Sequence, residues 1–248
     1  MTPCVAHRGW SSMAPENTLS AIRLGLEHPA IQMVELDVQM SKDGIPVVIH
    51  DFRLERTTDG EGWVKDFTLA ELKRLDAGCW FHPRFSGERI PTLQEVMQEA
   101  RGKKWLQIEL KAAGEINQEL PLVVAALVED MAMEKEVIVS SFDHRAVGRF
   151  KELAPQVEVG IVVAGLPNLI REQMQLVGAT LLSIQYPFIH PSLAKELLCA
   201  QKRVMAWTLD DASQMKRVSQ MDSRIAICTN CPEIWLGMAA QPPLTPSP

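Results

Sequence analysis

Eight short apolar segments, separated by helix-forming stretches, constrain this chain more than anything else in its sequence. They begin at Pro3, Met33, Trp105, Val137, Val157, Thr180, Arg203 and Arg224. Helices are expected over residues 93–100, 117–131, 143–153, 169–177, 191–200, 210–218 and 232–239. A first helix runs to about Glu27 behind Asn17 or Thr18 as its cap. Eight strands alternating with helices in 248 residues form the pattern of an α/β chain closed into a (β/α)8 TIM barrel. The rival is an open doubly wound sheet, but no G-x-G-x-x-G follows the first strand.

One stretch breaks the rhythm. Residues 51–91 carry Arg53, Arg56, Thr57, Thr58, a short helix capped from Thr68, and the run WFHPRFSGER. This reads as a small insertion after the second strand, folded over one end of the barrel. Its Trp63, Phe67, Trp80, Phe81 and Phe85 are most simply a small core of their own; a lipid-touching lip is the sharper alternative. The expected domain is residues 1–240. The tail over 241–248, QPPLTPSP, is expected to be extended and disordered.

Composition narrows the function. The chain has 25 Lys and Arg against 31 Asp and Glu, a net charge of −6, which is a poor match to nucleic acid. An anionic substrate then needs positive charge supplied locally, by a few side chains or by a metal. The five cysteines (Cys4, Cys79, Cys199, Cys228 and Cys231) are odd in number and scattered. That argues against a disulfide framework and for a reducing compartment. Cys228-Thr229-Asn230-Cys231 has C-x-x-C spacing but no second ligand pair, so a core strand residue and a loop residue are preferred over a redox or zinc role. The sequence shows no signal-peptide pattern and no apolar run of membrane-spanning length, and the cytoplasm is the expected location. The oligomeric state is left open.

The chemistry gathers where barrel strands end. Residues 33–51, MVELDVQMSKDGIPVVIHD, read as a strand, an Asp43-Gly44 hairpin turn, and a returning strand that stops on His50-Asp51. Glu35 and Asp37 stand at i and i+2, on one face, with Val34, Leu36 and Val38 on the other. Glu109 and Lys111 share a face of the third strand by the same rule, and the first strand ends on His7-Arg8. Active sites of such barrels lie at the C-terminal ends of the strands. Neighbouring carboxylates repel unless something positive lies between them, and an all-oxygen set suits a hard divalent cation. Arg8 and Lys111 can hold an anion, and two histidines can handle protons. A lone Glu on a barrel strand is as well read as half of a structural ion pair. Three carboxylates at matching depth beside two histidines make that reading poor, because unpaired buried carboxylates are costly. Trp207, ending strand seven, serves equally well as core or as a wall of the ligand site. His28, His82, His144 and His190 fall in loops or helices and are given no role.

Several motifs in series now point one way: His7-Arg8-Gly9, Pro15-Glu16-Asn17-Thr18, Glu35-Leu36-Asp37-Val38, Asp43-Gly44, the run from Val47 to Asp51, the run from Leu54 to Thr58, and Glu109-Leu110-Lys111. Ser140-Ser141-Phe142 and Trp207-Thr208 follow downstream. In order and spacing, over nearly the whole chain, these resemble the glycerophosphodiester phosphodiesterase family, in its bacterial cytoplasmic form. The resemblance implies a (β/α)8 barrel and metal-dependent hydrolysis of glycerophosphodiesters to sn-glycerol 3-phosphate and an alcohol. It implies Glu35, Asp37 and Glu109 as ligands of one divalent cation, Mg2+ or Ca2+, His7 and His50 as the acid/base pair, and Arg8 and Lys111 as phosphate contacts. Trp207 joins these as a substrate-binding residue. By the family pattern His7 accepts a proton and His50 donates one. The partner is a small phosphodiester, with no nucleic acid and no transmembrane segment. The family often has Thr-Asp before the last helix; here Thr229-Asn230 leaves position 230 uncharged. The alternatives are a phospholipase D acting on lysolipids and a non-catalytic barrel that only binds.

Overall fold

A computed structural model describes residues 2–239; the expected Pro-rich tail over 241–248 lies outside the described residues. The strands are β1 (Cys4–Ala6), β2 (Met33–Met40), β3 (Pro46–Val48), β4 (Trp105–Leu110), β5 (Val137–Ser141), β6 (Glu158–Val163), β7 (Leu181–Gln185), β8 (Arg203–Trp207) and β9 (Ala226–Thr229). The helices are α1 (Leu19–Glu27), α2 (Leu69–Leu72), α3 (Leu93–Ala100), α4 (Leu120–Asp130), α5 (His144–Leu153), α6 (Ile170–Leu176), α7 (Pro191–Cys199), α8 (Ala212–Met221) and α9 (Pro232–Ala239). Around the ring the order is β1-β9-β8-β7-β6-β5-β4-β2, all parallel, and pairing of β1 with β2 closes it. The eight-strand barrel read from the sequence is therefore present. β3 stands outside the ring, antiparallel on the upper end of β2 as the returning arm of the hairpin.

The two faces of each strand do different work. Val34, Leu36 and Val38 of β2 and Leu106, Ile108 and Leu110 of β4 point outward into one large core with Ile22 and Leu26 of α1, Leu93 and Met97 of α3, and Val124 and Val128 of α4. Each such fully buried aliphatic side chain contributes roughly 1.5–3 kcal/mol, so the helices clamp the two strands that carry the carboxylates. Inside the barrel Val5, Ile138, Leu181, Met205 and Cys228 form a smaller apolar layer. One step further along the same inward faces the side chains turn polar. The parallel register sets Asp37 beside Glu109 and Glu35 beside Gln107.

Some boundaries differ from the sequence reading. α4 begins at Leu120, because Asn117 takes a left-handed φ of 56° and donates from Nδ2 to the Lys111 carbonyl at 2.8 Å. α8 begins at Ala212 behind Asp211, whose carboxylate accepts from the first-turn amides. Between β3 and α3 the short helix α2 carries a capping box, Thr68 with Glu71. The aromatic mini-core expected there is a correction. The local core is aliphatic, with Val47, Ile49, Leu54, Val64, Leu72 and Ile90, and of the five aromatics only Phe67 packs against it. Hairpin and insertion residues already close that core, so Trp63 and Trp80 stay 37% and 41% exposed. Trp80, Phe81 and Phe85 stack edge to face on one another instead.

Candidate active site

β1 stops one residue before His7, and the chain then turns through Arg8 (φ 57°) and Gly9 (φ 80°). At Gly9 a Cβ would lie 2.5 Å from the Ala21 backbone, so only glycine lets α1 pass this close. The left-handed Arg8 aims its own N–H at Glu35 Oε2, 2.9 Å away. Its guanidinium reaches Glu16 Oε1 at 2.7 Å and approaches Asp37 Oδ2 at 3.3 Å through Nε, an ion pair whose angle makes no hydrogen bond. Across the mouth, Lys111 Nζ sits 2.9 Å from Asp37 Oδ1 and is also paired with Glu109. Glu35, Asp37 and Glu109 each bring a carboxylate oxygen within 4.8 Å of the others.

The electrostatics are uneven. Burial first, and then the charges of Asp37 and Glu109, push the Glu35 carboxyl well above its ordinary value. Burial likewise raises Glu109, against the pull of Lys111. Burial would also raise Asp37, but Lys111 and Arg8 override it and hold that carboxyl below the usual carboxylate range. Asn17 adds to this hold: its Nδ2 donates to Asp37 Oδ2 at 2.8 Å, and its Oδ1 accepts the Asp37 N–H at 3.2 Å. β1 pairs with β2 only as far as Val34, so the Asn17 side chain supplies the acceptor that a longer strand would have offered. Asn17 is thus not the cap of α1. Thr18 alone does that, through the Ala21 amide.

Each histidine has one ring nitrogen engaged. His7 Nδ1 lies 2.7 Å from Asn230 Oδ1. The amide orientation follows from Asp210, which accepts from Asn230 Nδ2 at 2.7 Å, so His7 Nδ1 carries the hydrogen and Nε2 faces the carboxylates. Burial, then Arg8, hold the His7 pKa down to about 4. His50 Nδ1 is 2.6 Å from Asp51 Oδ1. Asp51 is kept at about 2, first by its hydrogen bonds from Arg56. Arg56 in turn bridges to Glu16, the partner of Arg8, at 2.7 and 2.8 Å. A single chain of charges therefore links Arg8 to His50. Glu16, Asp51 and Arg56 were given no role from the sequence, although all three fall inside the quoted motifs.

Every residue singled out from the sequence, namely His7, Arg8, Glu35, Asp37, His50, Glu109, Lys111 and Trp207, lines one cavity of about 40 Å3 at the C-terminal mouth of the barrel. Trp207 stands edge-on to Phe142 with centroids 5.6 Å apart, and its buried Nε1–H has no acceptor among the described residues. A larger cavity of about 440 Å3 opens at the other end among Val5, Met33, Trp105 and Met205. It holds no carboxylate or histidine, so size does not mark the chemical site. Among the described residues no helix is long and apolar enough to cross a membrane.

Known proteins resemble this chain in sequence and in fold. The sequence profile of the glycerophosphoryl diester phosphodiesterase family matches residues 7–234. The chain belongs to that family. The glycerophosphodiester phosphodiesterase of Caldanaerobacter subterraneus subsp. tengcongensis is 37% identical over 219 residues, 88% of this chain and 89% of that one. YhdW of Bacillus subtilis is 39% identical over 225 residues, 88% of this chain and 90% of its own. Among solved structures, an Oleispira antarctica phosphodiesterase in complex with its product sn-glycerol-3-phosphate superposes with a TM-score of 0.89 at 31% identity, covering 96% of this chain and 97% of that one.

In this glycerophosphoryl diester phosphodiesterase, then, the cofactor question turns on the donor set. Three buried carboxylates offer only oxygen atoms, and two of them are pushed toward the protonated form, by burial first and then by mutual repulsion. Such a set fits a hard divalent cation, which restores the charge that burial and repulsion remove.

Proposed function

We propose that this protein hydrolyses glycerophosphodiesters to sn-glycerol 3-phosphate and an alcohol, with Mg2+ or Ca2+ held by Glu35, Asp37 and Glu109. One observation carries the reading: two histidines, each with its Nδ1 already engaged, share a small cavity with the carboxylate trio and two fixed cations. The relatives named for this activity, and the product bound in the Oleispira antarctica structure, support it. The five unpaired cysteines suit a reducing cytoplasm, and residues 1–240 act as one catalytic unit.

The roles follow from position. Arg8 and Lys111 take phosphoryl oxygens and stabilise the charge that builds on them. A bound divalent cation would withdraw charge from the same oxygens. His7, backed by a neutral amide and kept unprotonated by burial, accepts the proton of the attacking hydroxyl at Nε2. When water attacks, the new P–O bond forms as the P–O bond to the alcohol breaks, giving glycerol 3-phosphate; when the substrate's own glycerol hydroxyl attacks, the same exchange gives a cyclic phosphodiester that water then opens. His50, whose Nδ1–H is held by the Asp51 carboxylate, gives the leaving alkoxide its proton from Nε2. The unpartnered Trp207 N–H offers the substrate a donor, with Phe142 as the adjoining wall.

The test is release of glycerol 3-phosphate from glycerophosphocholine and glycerophosphoethanolamine in a coupled assay. Release should stop with chelator and return with Mg2+ or Ca2+. No release from either compound, with the cation bound, would overturn the substrate assignment.

A further inference from the structure

Beside the all-oxygen trio lies a second ligand set of different chemistry. His7, Glu35 and Cys228 each offer one donor atom, and the three atoms lie within 4.8 Å of one another. Cys228 belongs to the interior layer of β9, is 1% exposed, and has no part in the reaction above. The parallel register explains the meeting. Cys228 pairs with Val5 on β1, two residues before His7, and β1 lies between β9 and β2, which carries Glu35.

We propose that His7 Nε2, a Glu35 oxygen and Cys228 Sγ form a site for Zn2+, and that zinc bound there switches the enzyme off. Nitrogen, oxygen and thiolate together are a zinc donor set, whereas Mg2+ and Ca2+ take oxygen. The distances suit it. Bond lengths near 2.0–2.3 Å put the N–O edge of a zinc tetrahedron at about 3.4 Å. The His7 Nε2 to Glu35 Oε2 separation is 3.8 Å, so these two ligands close by a few tenths of an ångström, and Cys228 Sγ lies within 4.8 Å of both. The outer sphere is already built. Asn230 holds His7 Nδ1–H, which fixes the tautomer whose Nε2 lone pair faces the ion. The fourth position opens on the cavity at the mouth of the barrel, where a water completes the tetrahedron.

Binding is a simple exchange of ligands for protons. The Cys228 thiol releases its proton to solvent as the Zn–S bond forms, and the His7 lone pair becomes a Zn–N bond. Inhibition follows because that lone pair is the one His7 uses to accept a proton. Glu35 would also be drawn from the carboxylate trio. The inhibitory step rests on the proposed role of His7; the binding step does not.

The experiment uses the full chain, the Cys228→Ser variant and the Cys231→Ser variant. Co2+ is the spectroscopic probe and Zn2+ the inhibitor, with excess Mg2+ or Ca2+ present. Wild type and Cys231→Ser should show a thiolate-to-cobalt charge-transfer band in the near ultraviolet, and Cys228→Ser should lack it. Each protein is then titrated with Zn2+ and compared with its own zinc-free rate. Inhibition of Cys228→Ser should need roughly tenfold more zinc or beyond. No band in the wild type overturns the site, as does an equal band in Cys228→Ser. Loss of the band in Cys231→Ser as well would assign the metal to the C-x-x-C pair and overturn the proposal. A Cys228-dependent band with no inhibition would keep the binding site but overturn the proposed switch.

Discussion

Replacing Asn17 tests how the carboxylate trio is held. Asn17 is 4% exposed and makes two hydrogen bonds to Asp37, one to its carboxylate at 2.8 Å and one from its N–H at 3.2 Å. Asn17→Ala removes a charge-assisted hydrogen bond and leaves a buried N–H without a partner. Together these cost about 3–5 kcal/mol of stability. Asn17 also sits at φ 58°, where alanine is strained and glycine is not, so Asn17→Gly should lose about 1 kcal/mol less than Asn17→Ala. Because Asp37 would no longer be fixed, divalent affinity should fall roughly 10- to 100-fold in both variants. Urea unfolding with chelator present gives the stability, and calorimetric titration with Mg2+ or Ca2+ gives the affinity. A loss below about 1 kcal/mol with unchanged cation affinity would refute the bridging role and return Asn17 to the status of an ordinary loop residue.

Further perturbations test the remaining parts. His7→Ala and His50→Ala should each keep the fold, by circular dichroism, while turnover falls roughly 10²–10⁴-fold; wild-type rates in both would sink the acid/base pair. Asp51→Asn removes the carboxylate behind His50 and should lower kcat roughly tenfold or more, with divalent affinity unchanged; a loss of affinity instead would place Asp51 at the metal. The pH response follows from Glu35 and Glu109, whose folded-state pKa values lie above the ordinary 4.5. Between that value and their raised ones the folded chain binds more protons than the unfolded chain, so these groups lower stability as pH rises. Asp37 acts oppositely, contributing stability that is lost as pH falls through its ordinary 3.8 and below. A bound cation removes the penalty on the two glutamates, so the rise in Tm produced by Mg2+ or Ca2+ should grow from pH 4.5 to 7, and an increment independent of pH contradicts the assignment.

Much of this was legible in the sequence because β-strand geometry is local. The i, i+2 rule alone placed Glu35 with Asp37 and Glu109 with Lys111, and closure of the barrel then set Asp37 beside Glu109. The short β1 could not be read as well. Asn17 looked like a cap because Asn and Thr side by side before a helix are cap residues by type. Only the register shows that β1 ends too early to satisfy the Asp37 N–H. Asn230 is similar. The sequence showed only that this position is uncharged, yet Asn230 orients His7 over a sequence distance of 223 residues, with Asp210 behind it. The Arg8–Glu16–Arg56–Asp51–His50 chain also depends on where the insertion folds back. In the insertion, aromatic content suggested a core, but aliphatic side chains brought in by the hairpin filled that core first.

The charges of the site, taken together, explain why it would hold one divalent cation. Glu35, Asp37 and Glu109 bring three negative charges, and Arg8 and Lys111 return two positive ones. A phosphodiester adds one more negative charge. The occupied site is then short by two positive charges, and one divalent cation makes it neutral. A site balanced in that way desolvates the diester without a net Coulomb penalty. Hydrolysis changes the balance, because the phosphomonoester product carries close to two negative charges at neutral pH. The product complex is over-negative in a poorly solvated mouth, where repulsion between like charges is least screened. The same three carboxylates that make the site need a cation therefore favour departure of the product once the ester bond is cut.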